Sequence, residues 1–292
     1  MKQTKARVAF NIFNYTFLVV LACVMFYPMW YVICASFSSS TELTKYAGIL
    51  MTPQKFSVAA YEMMFRNPMI TRGFVNTILI VVSTTVLNIV LTAICAYVLS
   101  RKHVLWNKFF SKFIIFTMFF NGGMIPTYLV VTQILHLNNS WWAIILPGLV
   151  NVYNMVIMRT SFYGIPDSLI ESAQLDGASH WTILFKIVIP LSKAVLAVMI
   201  LYYAVAHWNE WFNASIYLKD RAKFPVQLIL REILIANDTS NMAAGTAASD
   251  QVEVGEVIKY ATIVTTTVPI LVVYPFLQKY FVGGVMIGAV KG

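Results

Sequence analysis

Residues 164–193, GIPDSLIESAQLDGASHWTILFKIVIPLSK, set two acids, Glu171 and Asp176, beside the small residues Ser172, Ala173 and Ala178. Carboxylates offer acceptors to another protein's donors, and small side chains let its backbone come close. The chemistry is that of docking into a groove, with no bond made or broken. Pro166 suits the first turn of a helix, Leu169, Ile170 and Ala173 form one apolar strip, and Gly177 ends the helix. Ser179 then caps a second, amphipathic helix built on Trp181, Ile183, Leu184 and Ile187. Pro190 marks the start of an apolar span. A helix lying flat at a membrane surface is the other reading, but such helices are rich in Lys and Arg on the polar face, where this one carries acids. On these residues alone both readings stay open.

Other chemistry is missing. No G-x-x-x-x-G-K-[ST] loop is present to cradle phosphate, and the glycine-rich ending GGVMIGAVKG has the wrong spacing. There is no H-E-x-x-H. His207 and Glu210 share a face if their segment is helical, but two ligands do not make a metal site, and a satisfied pair at the membrane interface is the simpler reading. Cys23, Cys34 and Cys95 are odd in number, lie in apolar stretches and form no C-x-x-C, so they read as buried thiols. A path for an uncharged polar solute would want aromatic faces with amides or hydroxyls. Asn121, Tyr153, Asn154, Trp208, Asn209 and Asn213 are the candidates, although Asn and Tyr also bond between helices and Trp anchors at interfaces.

These residues need a scaffold, and composition identifies it. The 292 residues are 59% hydrophobic and 11% charged, with a mean hydropathy of +0.72; soluble domains carry about 25% charged residues. The chain is predicted to be an all-α membrane protein. Apolar runs of about 20 residues place six spans at 11–37, 74–99, 109–134, 141–158, 187–206 and 261–281. The first could be bent at Pro28, and it is too long for a signal-peptide core. Asn121-Gly122-Gly123 and Pro126 interrupt the third, Pro147-Gly148 the fourth. Residues 1–10 and 286–292 are expected as cytoplasmic ends of a transmembrane domain, 11–285. The net charge of +9 fits basic cytoplasmic loops better than nucleic acid: Arg101, Lys102, Lys108 and Lys112 lie on the inner side, and the short outer loop 135–140 has no Lys or Arg. The middles of the spans hold no Asp, Glu, Lys, Arg or His, which disfavours a self-powered carrier; no Ser/His or Asp/Asp arrangement suggests an intramembrane hydrolase. The segment 236–256 is small and polar and reads as an exposed loop.

The pattern Glu171-Ser172-Ala173, three residues, Gly177, nine residues, Ile187-Val188-Ile189-Pro190 resembles the EAA motif of ABC importer permeases, EAA-x3-G-x9-I-x-L-P, with Ser172 and Ile189 as mild departures. Tyr61 with Asn76-Thr77, Trp208-Asn209-Glu210-Trp211 with Tyr217-Leu218, and the ending from Gln278 to Gly292 extend the resemblance to the second permease of maltose-type carbohydrate systems. The closest likeness is to the branch importing alginate, polygalacturonan and other complex oligosaccharides. The resemblance implies a six-transmembrane, type I ABC importer permease with a cytoplasmic coupling helix in a bacterial plasma membrane. It also implies a non-catalytic subunit working with a second homologous permease, two ATPase subunits that bind ATP and Mg, and an extracytoplasmic solute-binding protein. Glu171, Ser172, Ala173, Asp176, Gly177, Ala178 and Pro190 are then expected to couple to the ATPase, and Gly288, Lys291 and Gly292 to reach toward it. No cofactor, metal or nucleic acid is expected in this chain. A permease for another solute, such as glycerol phosphate, polyamine or phosphonate, and a non-transport membrane protein are the competing readings.

Overall fold

The computed structural model describes residues 4–236, 257–273 and 275; among them the chain is helical apart from turns and one isolated bridge between Ser38 and Phe56. The part of the expected sixth span beyond these residues, the segment 237–256 and the ending from residue 276 lie outside the described residues. The helices are α1 (Lys5–Ser36), α2 (Ser40–Lys45), α3 (Ala59–Arg66), α4 (Pro68–Ser100), α5 (Asn107–Phe119), α6 (Met124–Leu129), α7 (Trp142–Ile145), α8 (Val152–Tyr163), α9 (Asp167–Leu175), α10 (His180–Ile183), α11 (Ile189–Leu191), α12 (Lys193–Trp208), α13 (Phe212–Tyr217) and α14 (Val226–Ala236), followed by α15 (Val257–Val273).

Among the described residues, only α1 and α4 are both long and apolar enough to cross a membrane as single rods. Three bent pairs reach that length and apolarity only when both helices are taken together. Asn107–Phe119 and Met124–Ile134 meet at 108°, Trp142–Gly148 and Val152–Tyr163 at 47°, and His180–Leu191 and Lys193–Trp208 at 88°. The first bend falls where Gly123 takes φ +86°, which glycine adopts without steric cost. The second follows Pro147-Gly148, after which the Asn151 side chain accepts the Asn154 N–H at 3.1 Å and starts α8 anew. The third departs from the expected span: the helix that begins at His180 runs through a widened turn, Leu184–Val188, into Pro190 and breaks at Ser192. Proline lacks an N–H and its ring crowds the carbonyl four residues back, so the widened turn sits where the regular bonding pattern must fail. By contrast α1 continues through Pro28 without a break.

The described residues group into two compact units, those within 4–70, 230–236 and 257–268, and those within 71–229, 269–273 and 275. The core of the first gathers Cys34, Ala35, Leu43, Leu50 and Ala60 around Val257, Ile258 and Ala261. Tyr27 accepts the Leu50 N–H at 3.2 Å, Trp30 donates to the Met51 carbonyl at 2.9 Å, and Tyr61 donates to Ser36 at 2.8 Å. Along most of α1, from Phe10 to Trp30, large apolar side chains stay exposed.

The core of the second unit joins Ala93, Ala96, Tyr97 and Leu99 of α4 with Met155, Met158 and Phe162 of α8, Ile170 of α9, and Ile183, Leu184, Val188, Leu196 and Met199. In lipid such packing gains contact rather than release from water, which favours the close approach that Ala93 and Ala96 permit. At the other end of α4, Asn76 donates to the carbonyls of Ala222 (2.8 Å) and Phe224 (3.0 Å), and Thr77 accepts the Val226 N–H at 2.8 Å. The same segment is held from the loop before α7: Asn139 Oδ1 accepts the Lys219 and Asp220 N–H groups, and Trp141 donates to the Lys223 carbonyl.

Candidate functional site

The acidic segment forms an elbow of two helices. Helix α9 closes on a full Schellman motif: the Ala178 N–H reaches the Ala173 carbonyl at 2.9 Å and the Gly177 N–H the Gln174 carbonyl at 3.0 Å, with Gly177 at φ +79°. Ala173 and Ala178, the two residues that this motif brings together, both pack on the core. Ser179 then accepts the Thr182 N–H and starts α10. The spacing from Ala173 to Ser179 is thus one stop-and-restart signal, and it fixes where Glu171 and Asp176 stand.

Helix α9 turns Ile170 fully inward and Ala173 partly so. Leu169, expected on the apolar strip, is exposed, and so is Leu175, at 90%. Trp181, expected on the buried face of the second helix, is also exposed and stacks on Phe185, while Ile183 and Leu184 are buried. A helix of nine residues buries a stripe about one side chain wide, so the neighbouring leucines are left outside. Glu171, Ser172, Asp176 and Pro190 are exposed as well. The elbow therefore presents two acids and two leucines on a backbone closed by glycine.

Between the elbow and the end of α4 lies a cavity of about 600 Å³ bordered by Tyr97, Arg101, Lys102, Ile170, Glu171 and His180. Lys102 pairs with Asp167 at 2.8 Å, both side chains being about half exposed. Tyr97 and His180 Nδ1 share a hydrogen bond of 3.2 Å. The Lys102 ammonium and the Asp167 carboxylate hold each other charged, first through their hydrogen bond and then through charge attraction, which raises the one pKa and lowers the other.

The six candidates for a solute path do not converge. Asn121 is exposed and accepts the Gly123 N–H at the first bend; Tyr153 is exposed, Asn154 and Trp208 are buried. Asn209 donates to the Val205 carbonyl, and Asn213 to Glu210 Oε1; both bonds are local. Glu210 thus turns to Asn213, and the expected His207–Glu210 pair is replaced by another partnership. His207 Nε2 lies 3.3 Å from Asn88 Nδ2, which also donates to the Gly148 carbonyl at 3.1 Å. The tautomer protonated at Nδ1 is the one in which Nε2 accepts from this amide. Beside it Thr92 and Tyr203 share a bond of 2.7 Å, Tyr203 accepts the Asn151 N–H, and the Tyr203 and His207 rings stack. A histidine therefore does stand against the body of α4, at the backbone break of the fourth crossing. The expected span ended one residue before it.

Asn88 and Thr84 are fully buried, yet Asn88 Oδ1 and the hydroxyls of Thr84 and Thr85 have no partner. Buried polar atoms without partners are rare and mark a place where water or a ligand hydroxyl belongs. This cluster escaped sequence reasoning because single Asn and Thr residues are ordinary in apolar helices. The signal available was their recurrence at 84, 85, 88 and 92, near one helix face. Among the described residues no group of three His, Cys, Asp or Glu could hold a metal. Gly288, Lys291 and Gly292 lie outside the described residues.

Comparison with known proteins agrees with this architecture. The polygalacturonan/rhamnogalacturonan transport system permease protein YtcP of Bacillus subtilis is 40% identical over 97% of this chain and 98% of its own length. Protein LplC of the same organism is 39% identical over 100% and 98%. A solved structure described as a bacterial ABC transporter involved in the import of the acidic polysaccharide alginate superposes with a TM-score of 0.88 at 29% identity, covering 96% of this chain and 99% of the matched one. The profile of one family, binding-protein-dependent transport system inner membrane component, matches residues 88–287, which include the elbow, Asn88 and Thr92 of the α4 cluster, and the bent helix pairs. With more than half its length inside that profile, the chain belongs to the family of binding-protein-dependent transport system inner membrane components.

Proposed function

We propose that this chain is one of two homologous permeases of an ATP-driven oligosaccharide importer in a bacterial plasma membrane, and that it receives mechanical work at the elbow. The carrying observation is that α9 shows Glu171, Asp176, Leu169 and Leu175 outward on a turn closed at Gly177. Acids and leucines on a short rigid helix suit insertion into a groove lined with donors and apolar side chains. In this reading the groove belongs to an ATPase subunit, two of which bind ATP and Mg, while this chain carries no cofactor and catalyses nothing. The elbow and both chain ends face the cytoplasm, and Gly288, Lys291 and Gly292 extend toward the ATPase pair. An extracytoplasmic binding protein delivers the sugar to the opposite face.

The path for sugar follows from polar groups without fixed charge. Asn88, Thr84, Thr85, Tyr203 and His207, with Asn154 and Trp208 as further candidates, offer hydroxyl, amide and ring donors and acceptors, with Asn88 reaching the helix break at Gly148. The relatives named for polygalacturonan and for alginate support an oligosaccharide. The test is the double variant Glu171→Lys with Gly177→Asp in the reconstituted complex. Loss of co-purifying ATPase and of uptake is expected; normal assembly with normal uptake would reject docking at the elbow. Calorimetry of sugars with the cognate binding protein names the substrate.

A further inference from the structure

Helices α4 and α8 end beside each other, and each supplies the arginine that caps the other. A helix leaves its last four carbonyls without internal partners. At the end of α4 the Leu99 carbonyl accepts Arg159 Nε of α8 at 2.9 Å, as well as Asn107 Nδ2 at 3.1 Å. At the end of α8 the Phe162 carbonyl accepts Arg101 Nη2, one residue past α4, at 3.0 Å. The Arg101 guanidinium also lies 5.4 Å from the centre of the Tyr97 ring. Leu99 and Phe162 are buried and the two arginines partly so. Each cation meets the negative end of the neighbouring helix dipole through a charge-assisted bond in a place with little water.

Two more ties follow the same line: Lys102 to Asp167 at the first residue of α9, and Tyr97 to His180 at the first residue of α10. The end of α4 is thus fastened to α8 and to both helices of the elbow. Only Gly164, Ile165 and Pro166 separate α8 from α9, and Ile165 is buried in the shared core.

We propose that Arg101 and Arg159 are positioning residues of a crossed clamp that makes α4, α8 and the elbow move as one body. Force applied at Glu171 then travels up the unbroken rod of α4 to Asn88 and to the segment that Asn76 holds, instead of being absorbed in the bends of α5–α6 and α11–α12. The clamp deepens the function proposed above and rests on it.

The test uses the whole complex, with partner permease, ATPase, binding protein and oligosaccharide, in proteoliposomes. Two readings are taken: sugar imported per ATP hydrolysed, and the distance between nitroxides at Leu105→Cys and Ser168→Cys, both exposed positions, in a chain with Cys23, Cys34 and Cys95 replaced by alanine. In the unsubstituted clamp the distance is expected to be narrow and equal with and without trapped ATP. With Arg101→Gln plus Arg159→Gln, the complex still assembles and hydrolyses ATP, sugar per ATP falls about ten-fold, and the distance distribution broadens. Arg101→Lys plus Arg159→Lys, which keeps the charge and loses the planar fork, recovers part of the loss. Unchanged sugar per ATP in the glutamine pair overturns the clamp. So does a distance in the unsubstituted chain that differs between the nucleotide states, a measurement that holds even if the variants do not assemble. An unsubstituted complex that binds ATPase yet imports nothing would instead overturn the proposed function, with the distance still judging the clamp.

Discussion

Asn76 donates from one amide nitrogen to the carbonyls of both Ala222 and Phe224, from a position 6% exposed near the start of α4. Its neighbour Thr77 accepts the Val226 N–H and donates its own hydroxyl to the Gly73 carbonyl at 2.8 Å. Two adjacent side chains thereby pin a segment almost 150 residues away in sequence. Asn76→Ala would leave two carbonyls unmatched and is expected to destabilise the chain by about 1–3 kcal/mol. Asn76→Asp, which loses both donors, should be no better. Thermal unfolding of the purified protein in lipid nanodiscs measures both.

At Gly177 an added Cβ would meet nothing within 4 Å, so the whole cost of a side chain there is backbone strain. Gly177→Val is expected to cost about 1–2 kcal/mol of local stability, and Gly177→Asn clearly less, since Asn tolerates φ near +80° far better. ATPase retained on an affinity column should fall in the order Gly, Asn, Val. Equal retention for all three would mean that the shape of the elbow is not what the partner reads.

Asn88→Leu removes an orphaned acceptor together with two hydrogen bonds. Polar bonds between membrane helices average about 0.6 kcal/mol, and removing an unmatched oxygen offsets part of that. The melting temperature is therefore expected to change little while uptake falls clearly. A large loss of stability with unchanged uptake per folded complex would make the cluster a packing device and not part of the path.

The Lys102–Asp167 pair has a defined pH window. Asp167 is held below the ordinary carboxylate range, first by the Lys102 hydrogen bond and then by its charge, so its contribution is present above that range and disappears as pH falls through the lowered value. Lys102 is held above the ordinary lysine value by the same two causes, so its contribution is lost only as pH rises through that raised value. Between these limits the pair should not respond to pH, and being exposed it should weaken with salt. Asp167→Lys is expected to loosen the start of α9, and Lys102→Asp together with Asp167→Lys to restore it. Hydrogen exchange at residues 167–171 reports both.

The elbow could be read closely from the residues because its signals are local. Ala173, Gly177, Ala178 and Ser179 specify a helix end and a restart through backbone geometry alone, and the structure places the turn at those residues. Burial within the elbow was less legible. Leu169 and Trp181 are as apolar as Ile170 and Ile183, and only the narrow contact with Met158 and Phe162 decides which go inside. The bends were half visible. Gly123 and Gly148 announced two of them, whereas the break at Ser192 comes two residues after Pro190, where the widened turn runs out. The Asn88–His207 contact was beyond reach, since it joins positions 119 residues apart and single polar residues carry no record of their partners. The arginine caps were hidden likewise: Arg101 reads simply as an inner-side charge, and nothing in the residues around Arg159 points to a carbonyl 60 positions away.

Among the described residues of α1, only Cys34, Ala35 and Ser36 at its end are buried, and the aromatic and aliphatic side chains from Phe10 to Phe26 stay uncovered around the whole circumference. The contacts of Tyr27, Trp30 and Tyr31 at the fastened end set the roll of this rod, and the greasy stretch before them adds no preference of its own. The apolar residues of that stretch should exchange for one another almost freely. Extraction from the bilayer removes its surroundings first, so detergents that preserve annular lipid should decide how well this protein survives purification.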